Sequence, residues 1–229
     1  ISICTLWLWL ARRQLGYKGG LQHTKQAISK VKSQNHFTSL PPSYLKLDIP
    51  ISAHNTKSGQ DNNKSITARI EHFSTPLPPT LLDQCLLIFE QNIGDLYWQS
   101  CWGLDMKEKP NEFENAFNRT RADINGSKIS QSTNAESEPT VLRFVHYRFE
   151  PDHEDDPIAL VSYVYKLQIQ SMKQKLGLGK CLMSIVELLA LKFRMEKIML
   201  TMFKVNAKAL GFYLHKMKYE VDECSTSNF

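Results

Sequence analysis

The sequence predicts an α/β protein, and three features of its last third carry that expectation. A twelve-residue apolar run, Ile158 to Ile169, reads as a buried strand. Two glycines follow, Gly177 and Gly179, where an amphipathic helical pattern begins that runs to about Phe193. A second short apolar strand, Lys197 to Phe203, comes next. With Val141 to Phe149 before them and a helix and strand start after them, the order is strand, strand, helix, strand, helix, strand.

Ile1 to Leu10 is apolar, like a short membrane or signal segment. It is too short to span a bilayer, and Arg12 and Arg13 follow its apolar core where a signal peptide places charge before it. It is assigned no functional role. Residues 1–65 read as a basic, polar N-terminal segment, disordered or partly helical, and residues 66–229 as the folded domain. Ser39 to Pro42 and Thr75 to Thr80 are turn or extended signals, and His54 to Ser65 is a polar loop or insertion. Ile66 to Phe73 is a short strand. Thr80 is placed to cap a helix whose apolar face is Leu82, Leu86, Phe89 and Ile93. It leads into the aromatic cluster Tyr97 to Gly103. Lys107 to Arg121 predicts an exposed helix broken near Pro110.

The Ser/Asn/Glu-rich stretch at about 122–140 has no apolar period and reads as an inserted loop. Glu150 to Asp156 is an acidic turn between the two strands. The helix after the glycines has an apolar face of Leu178, Leu182, Ile185, Val186, Leu189 and Phe193. Asn206 starts a further helix through Tyr213 and His215. Tyr219 to Val221 begins a last strand, so the closing strand of the sheet is expected to be truncated.

Composition narrows the class. A chain of 229 residues, 42% hydrophobic and 22% charged, can bury one sizeable core. The net charge of +5 is modest, and much of it lies in Arg12, Arg13, Lys18, Lys25, Lys30 and Lys32. It reads as a solvated arm, without direct nucleic-acid binding. Five scattered cysteines without a C-x-x-C pair indicate neither a zinc ribbon nor a disulfide framework, so reduced thiols in cytosol or nucleus are expected and no metal.

Gln174-Lys175-Leu176-Gly177-Leu178-Gly179-Lys180 sits at a strand-to-helix junction. Glycines there let backbone amides approach a ligand, and the unpaired amides and dipole of a helix N-terminus favour phosphate. Gly177-Leu178-Gly179-Lys180-Cys181 has neither the spacing nor the hydroxyl of a Walker A loop. A dinucleotide fingerprint needs glycine where Leu182 stands. The pattern Gln-x-x-Gly-x-Gly does resemble the pyrophosphate loop of the GNAT N-acetyltransferase superfamily. Asn206-Ala207-Lys208-Ala209-Leu210-Gly211-Phe212-Tyr213 has the form Asn-x-x-Ala-x-x-Phe-Tyr, which in that superfamily lies beside the coenzyme A arm.

Within the superfamily, several stretches resemble the NatD family of histone N-alpha-acetyltransferases. They are Tyr97 to Gly103, Phe144 to Phe149, Tyr163-Val164-Tyr165, Gly177 to Lys180 and Met199 to Asn206. The resemblance covers roughly residues 80–221 and is closest over 141–221. It implies a mixed, twisted sheet flanked by helices, with acetyl-CoA where two parallel strands splay. It implies the free amine of Ser-Gly-Arg-Gly tails of histones 4 and 2A as acceptor, a monomer, a place in nucleus and cytoplasm, and no membrane partner. Gln168, Ile169 and Gln170 would offer backbone groups to the pantetheine arm. Leu176, Gly177, Leu178, Gly179, Lys180 and Cys181 would wrap the pyrophosphate, and Asn206 would bond the coenzyme arm. Tyr97, Trp102, Glu150, Asp152, Tyr165 and Thr201 would line the peptide slot. Tyr213 is the superfamily's donor to the leaving thiolate, and Tyr165 a proton relay.

The sequence departs from the family at one acid–base position. The family has a glutamate after the second strand tyrosine, and this chain has Lys166. A lysine of ordinary pKa, about 10.4, cannot accept a proton at neutral pH. Either Glu150 or another residue of the acidic turn stands in for it, or Tyr165 with ordered water suffices, or activity is weak. The five carboxylates of Glu150 to Asp156 would also attract a basic tail, although a charge run is equally the mark of a solvated turn. The alternatives are an acetyl-CoA- or histone-tail-binding protein with weak or no catalysis, or an acetyltransferase of lysine or small amines.

Overall fold

The computed structural model describes residues 7–13, 40, 46–50, 65–74, 76–100, 103–114, 123–129, 140–152, 160–222 and 225. Among the described residues, eight strands form one sheet: β1 (Trp7–Arg13), β2 (Lys46–Pro50), β3 (Ser65–Ser74), β4 (Asp123–Ile129), β5 (Arg143–Pro151), β6 (Leu160–Ile169), β7 (Lys197–Phe203) and β8 (Glu220–Val221). Their spatial order is β2-β3-β4-β5-β6-β7-β1-β8. All neighbours are antiparallel except β6 and β7, which are parallel. This is the mixed sheet flanked by helices that the acetyltransferase resemblance implies.

Helices cover both faces. On one, α1 (Pro79–Gln99) and the short α2 (Lys109–Glu114) bury Leu81, Cys85, Phe89 and Phe113 against Phe144. On the other, α3 (Leu178–Lys192) buries Leu182, Ile185, Val186 and Leu189 against Val145, Tyr147, Val164 and Leu200. A crossover helix is what a parallel strand pair requires, so α3 joins β6 to β7. After β7 come the one-turn α4 (Ala207–Leu210) and a π-helical turn, Gly211–Lys216. Among the described residues, no helix is long and apolar enough to cross a membrane.

Several expectations are corrected. Trp7–Arg13 is a strand of the sheet, not part of a segment outside the domain. It pairs with all of β7, and Leu8, Leu10 and Ala11 are buried. Its continuous apolar run, Trp7 to Ala11, is that of a buried strand with a protein partner. It lies between β7 and the two-residue β8. Lys46–Pro50 is likewise a strand, paired with β3.

Asp123–Ile129, within the expected insertion, pairs with β3 throughout and with β5 at Asp123↔Tyr147 and Ile124↔His146. Its residues are poor β-formers, but unpaired edges on both sides supply partners that propensity does not register. The helix expected to break near Pro110 begins there. Proline fits a first helical turn because its missing N–H would have no partner, and the helix is anchored, with Phe113 fully buried and Lys109 nearly so. Thr80 is not a cap: α1 starts at Pro79, with Pro78 at the capping position.

Candidate functional site

The site grows from the place where β6 and β7 part. Their last paired residues are Val164 and Leu200, yet β6 continues to Ile169 and β7 to Phe203. Beyond that rung no ladder joins them among the described residues, leaving a cleft between two strand edges.

At one end of the cleft lies the glycine loop. Lys175 and Gly177 are both left-handed, at φ 65° and 78°. The reversal at Gly177 turns the chain into α3, whose first internal bond is from the Cys181 amide to the Gly177 carbonyl at 3.1 Å. The amides of Leu178, Gly179 and Lys180 precede it and have no place in the helical ladder. A Cβ at Gly179 would meet Ile169 Cδ1 at 3.2 Å and Phe212 Cζ at 3.3 Å, so this glycine lets the helix sit close on the cleft. Beneath the turn, fully buried Arg143 donates to the Leu178 carbonyl at 3.1 Å and reaches Cys181 Sγ at 3.9 Å. Its charge adds to the positive helix end, and Lys180 is exposed beside it. Leu176 packs with Leu142, Ile169 and Leu178 and holds the loop down. The cradle of free amides over a buried cation fits a pyrophosphate.

The strand expected to bind the pantetheine arm is partly committed. The Ile169 carbonyl accepts from Asn92 Nδ2 at 2.9 Å and Gln174 Nε2 at 3.3 Å. Gln170 donates its amide to the Leu142 carbonyl at 2.9 Å, and Gln168 Oε1 accepts from Asn92 at 2.9 Å. The Ile169 carbonyl and the Gln170 amide therefore belong to the protein's own network, because α1 packs Asn92 onto this strand end. Asn206 caps α4, accepting the Ala209 amide at 3.1 Å, so Oδ1 is engaged and only its amide NH₂ is left as a donor.

The opposite end of the cleft carries the acid–base groups. At β5–β6, His146 pairs with Lys166 and Tyr147 with Val164, so Tyr165 is an extra residue. This bulge breaks the alternation and turns Tyr165 and Lys166 to the same face. The Tyr165 hydroxyl donates to Glu150, at 2.9 and 3.2 Å to the two carboxylate oxygens. Its ring stacks on His146 at 5.3 Å and lies 4.6 Å from Tyr163, with the Arg148 guanidinium 4.5 Å away over its face. The Tyr163 and Thr201 hydroxyls are 2.9 Å apart. Tyr97, at the end of α1, meets Phe203 edge-on at 5.0 Å and closes the same face. Burial raises the Glu150 carboxyl above its usual range while the Tyr165 hydrogen bond and Arg148 oppose that. Burial, then Glu150, raises the Tyr165 phenol, keeping it a proton donor.

Lys166 does not face Glu150. Its Nζ lies 4.6 Å from the Phe113 ring centroid and 5.7 Å from that of Phe89, and 3.7 Å from Glu112 on α2. Glu112 also holds Lys109 at 2.6 Å. Burial pulls the Lys166 ammonium down to about 8, against the upward pull of Glu112. His146, fully buried beside it, has no hydrogen-bond partner at either nitrogen among the described residues. Burial and then the neighbouring Lys166 and Arg148 hold it neutral.

A stability consequence follows from Lys166. The unfolded lysine binds its proton up to about 10.5 and the folded one only to about 8. The unfolded state therefore carries more protons between those values, and this group's contribution to stability rises with pH across that window. Lys166→Met is expected to stabilise the protein by about 1–3 kcal/mol at pH 7 and to lose that advantage progressively from pH 8 to 10.5. Urea denaturation of both proteins across this range checks it, the difference cancelling titrations they share.

One expected slot residue stands elsewhere. Asp152 pairs with Lys197 at 2.9 Å, four residues along β7 from Thr201, and Asp222 joins it at 3.3 Å. Its carboxylate is thus engaged in an ion pair away from the Tyr165 corner. Trp102, and Glu154, Asp155 and Asp156 of the acidic turn, lie outside the described residues. Tyr213 is buried in the core on the α3 face and sits in the π-helical turn, a distortion that often marks functional positions. Burial raises its phenol, so it too remains protonated. Sequence reasoning missed Arg143, Asn92, Arg148 and the Lys109–Glu112 pair. Only the i, i+3 spacing of Lys109 and Glu112 left a local trace.

Among the described residues, no cluster of His, Cys, Asp and Glu could hold a metal ion. No family model matches the chain. Three solved structures show how distant the likenesses are. A ribosomal-protein-alanine N-acetyltransferase from Brucella melitensis biovar Abortus 2308 matches at TM-score 0.45 and 12% identity, covering 69% of this chain and 96% of that one. An aminoglycoside N-acetyltransferase in complex with CoA matches at 0.46 and 10%, covering 68% and 91%. An aminoglycoside acetyltransferase from an uncultured soil metagenomic sample matches at 0.44 and 17%, covering 64% and 84%. Likenesses this distant carry no inference about substrate.

Proposed function

We propose that this chain transfers the acetyl group of acetyl-CoA to the free α-amine of a protein N-terminus. The acceptor favoured by the family resemblance is the Ser-Gly-Arg-Gly tail of histones 4 and 2A, met by a monomer in nucleus and cytoplasm. The observation that carries the reading is the hydrogen-bonded Tyr165–Glu150 pair, set by a bulge beside the β6–β7 cleft. The glycine loop opens onto the other end of the same cleft.

Acetyl-CoA, when bound, supplies the thioester. The amides of Leu178, Gly179 and Lys180, with Arg143 beneath, hold the pyrophosphate by charge and direct hydrogen bonds. The β6 edge beyond its last rung with β7, short of the committed Ile169 carbonyl and Gln170 amide, takes the arm. An α-amine has a pKa of about 7.7–8.0, so part of it is neutral at cell pH. Glu150 attracts the cationic form into the slot and, through Tyr165 or a water, receives the proton released as nitrogen bonds to the acetyl carbon. The C–S bond breaks, and a protonated phenol, Tyr213, returns a proton to the thiolate. Positioning does much of the work, since holding amine and thioester together removes most of the entropic barrier.

Intact-mass analysis of a Ser-Gly-Arg-Gly peptide incubated with protein and acetyl-CoA is expected to show one added acetyl group. The same peptide with a blocked N-terminus is expected to remain unmodified. Product on an internal lysine alone would replace this reading with side-chain acetylation. The non-catalytic reading draws on one observation, the buried Lys166 ammonium where the family has a carboxylate. It predicts acetyl-CoA binding without turnover, and turnover gained by Lys166→Glu.

A further inference from the structure

The N-terminal strand places an aromatic side chain at the mouth of the cleft. In the register of β1 on β7, Trp9 is directly opposite Thr201. Thr201 is the first residue of β7 beyond the last rung shared with β6, so Trp9 stands level with the point where the strands part. Directly opposed residues share a face, with Cβ atoms about 4.5–5.5 Å apart. Trp9 and Tyr163 meet edge-on at 6.0 Å, Tyr163 meets Tyr165 at 4.6 Å, and the Tyr163 hydroxyl bonds Thr201. Trp9, Tyr163 and Tyr165 therefore form one continuous aromatic row that ends at Glu150.

Trp9 is held in place from both sides of its strand. Its neighbours Leu8 and Leu10 point into the opposite core, so the indole must lie on the slot face. Its amide donates to Ser225 Oγ at 3.3 Å and its carbonyl accepts the Asp222 amide at 2.9 Å. The strand is thus clamped between β7 and the C-terminal segment. The next residue on the same face is Ala11, too small to push the ring away, and Trp9 itself remains half-buried.

We infer that Trp9 closes the lateral end of the acceptor slot and limits the first residue of the acceptor to a small side chain. This rests on the N-terminal acetyl-transfer reading and adds the element that sets its specificity. An indole at the end of a cleft works by exclusion: a small side chain such as serine fits beside Thr201, whereas leucine or phenylalanine meets the ring. The aromatic row also gives the backbone of the first residue a flat surface leading to Glu150.

The test is a competition in one tube. Equal amounts of Ser-Gly-Arg-Gly and Leu-Gly-Arg-Gly peptides are incubated with acetyl-CoA, and the ratio of acetylated products is read by mass spectrometry. That ratio depends only on the relative kcat/KM of the folded enzyme, so loss of some protein to misfolding does not move it. Wild-type protein is expected to prefer the serine peptide strongly. Trp9→Ala is expected to raise the leucine share about 10-fold or more, with Trp9→Leu, which retains a strand-forming apolar residue, in between. An unchanged ratio in both variants, with the wild type active, overturns the role of Trp9 and leaves the acetyl-transfer reading intact. Wild-type protein that acetylates neither peptide overturns that reading, and the specificity role with it.

Discussion

Glu150→Gln is expected to lower kcat/KM for peptide acetylation by about 10²- to 10⁴-fold while leaving the fold intact. Glutamine keeps a carbonyl for the Tyr165 hydroxyl to donate to, so the geometry of the corner survives. The variant loses the negative charge that draws in a cationic amine and the capacity to hold its proton. No other described carboxylate bonds Tyr165. Asp152 is paired with Lys197, and Glu112 lies between Lys109 and Lys166. Steady-state kinetics on the Ser-Gly-Arg-Gly peptide, with urea denaturation as a fold control, measures this. A loss below about tenfold would take the proton-acceptor role away from Glu150. Tyr165→Phe is the informative companion, because it leaves the carboxylate in place and removes only the donor that orients it.

Leu10→Ala is expected to cost about 2–5 kcal/mol of stability, the range for deleting a fully buried leucine. Leu10 has no exposed surface and belongs to the same core as Leu182, Val186 and Met202. It lies on β1, so the result separates a sheet strand from an N-terminal arm, in which the substitution would cost almost nothing. Val221, its partner on β8, is exposed, and Val221→Ala is the control, expected within about 0.5 kcal/mol of wild type. Urea midpoints at a common slope decide between these outcomes. The same loss would disturb the slot, since Trp9 is held in register by the residues on either side.

These two expectations depend on different kinds of information. The strand–glycine loop–helix–strand run from β6 to β7 was legible because every part is a local pattern. The apolar run, the glycine pair and the three- and four-residue spacing of Leu178, Leu182, Ile185 and Leu189 need no partner to be read. Tyr165 and Glu150 were named on resemblance, but their contact was not readable. In a regular strand Tyr165 and Lys166 would point to opposite faces, and the single extra residue at Tyr165 turns them to one. Lys166 looked like a failed base in an acid–base position. The structure turns it away into an aromatic pocket with Glu112, on a helix that Pro110 had seemed to interrupt. Asp152 was chosen as one of a run of like charges. Which carboxylate faces the slot depends on where Lys197 falls along β7, 45 residues beyond Asp152 in sequence (197 − 152) but in contact with it in space.

By itself, then, the sequence determined an α/β arrangement around a glycine-bearing strand-to-helix turn, because propensity, periodicity and turn chemistry are encoded over a few residues. Only the tertiary structure decided that Trp7–Arg13 completes the sheet beside β7, that a polar stretch serves as β4, and that a bulge pairs Tyr165 with Glu150. Each of these is a choice of partner or register between segments distant in the chain. Such choices are settled by the need to satisfy every strand edge and fill one core, a condition that no local stretch of sequence expresses.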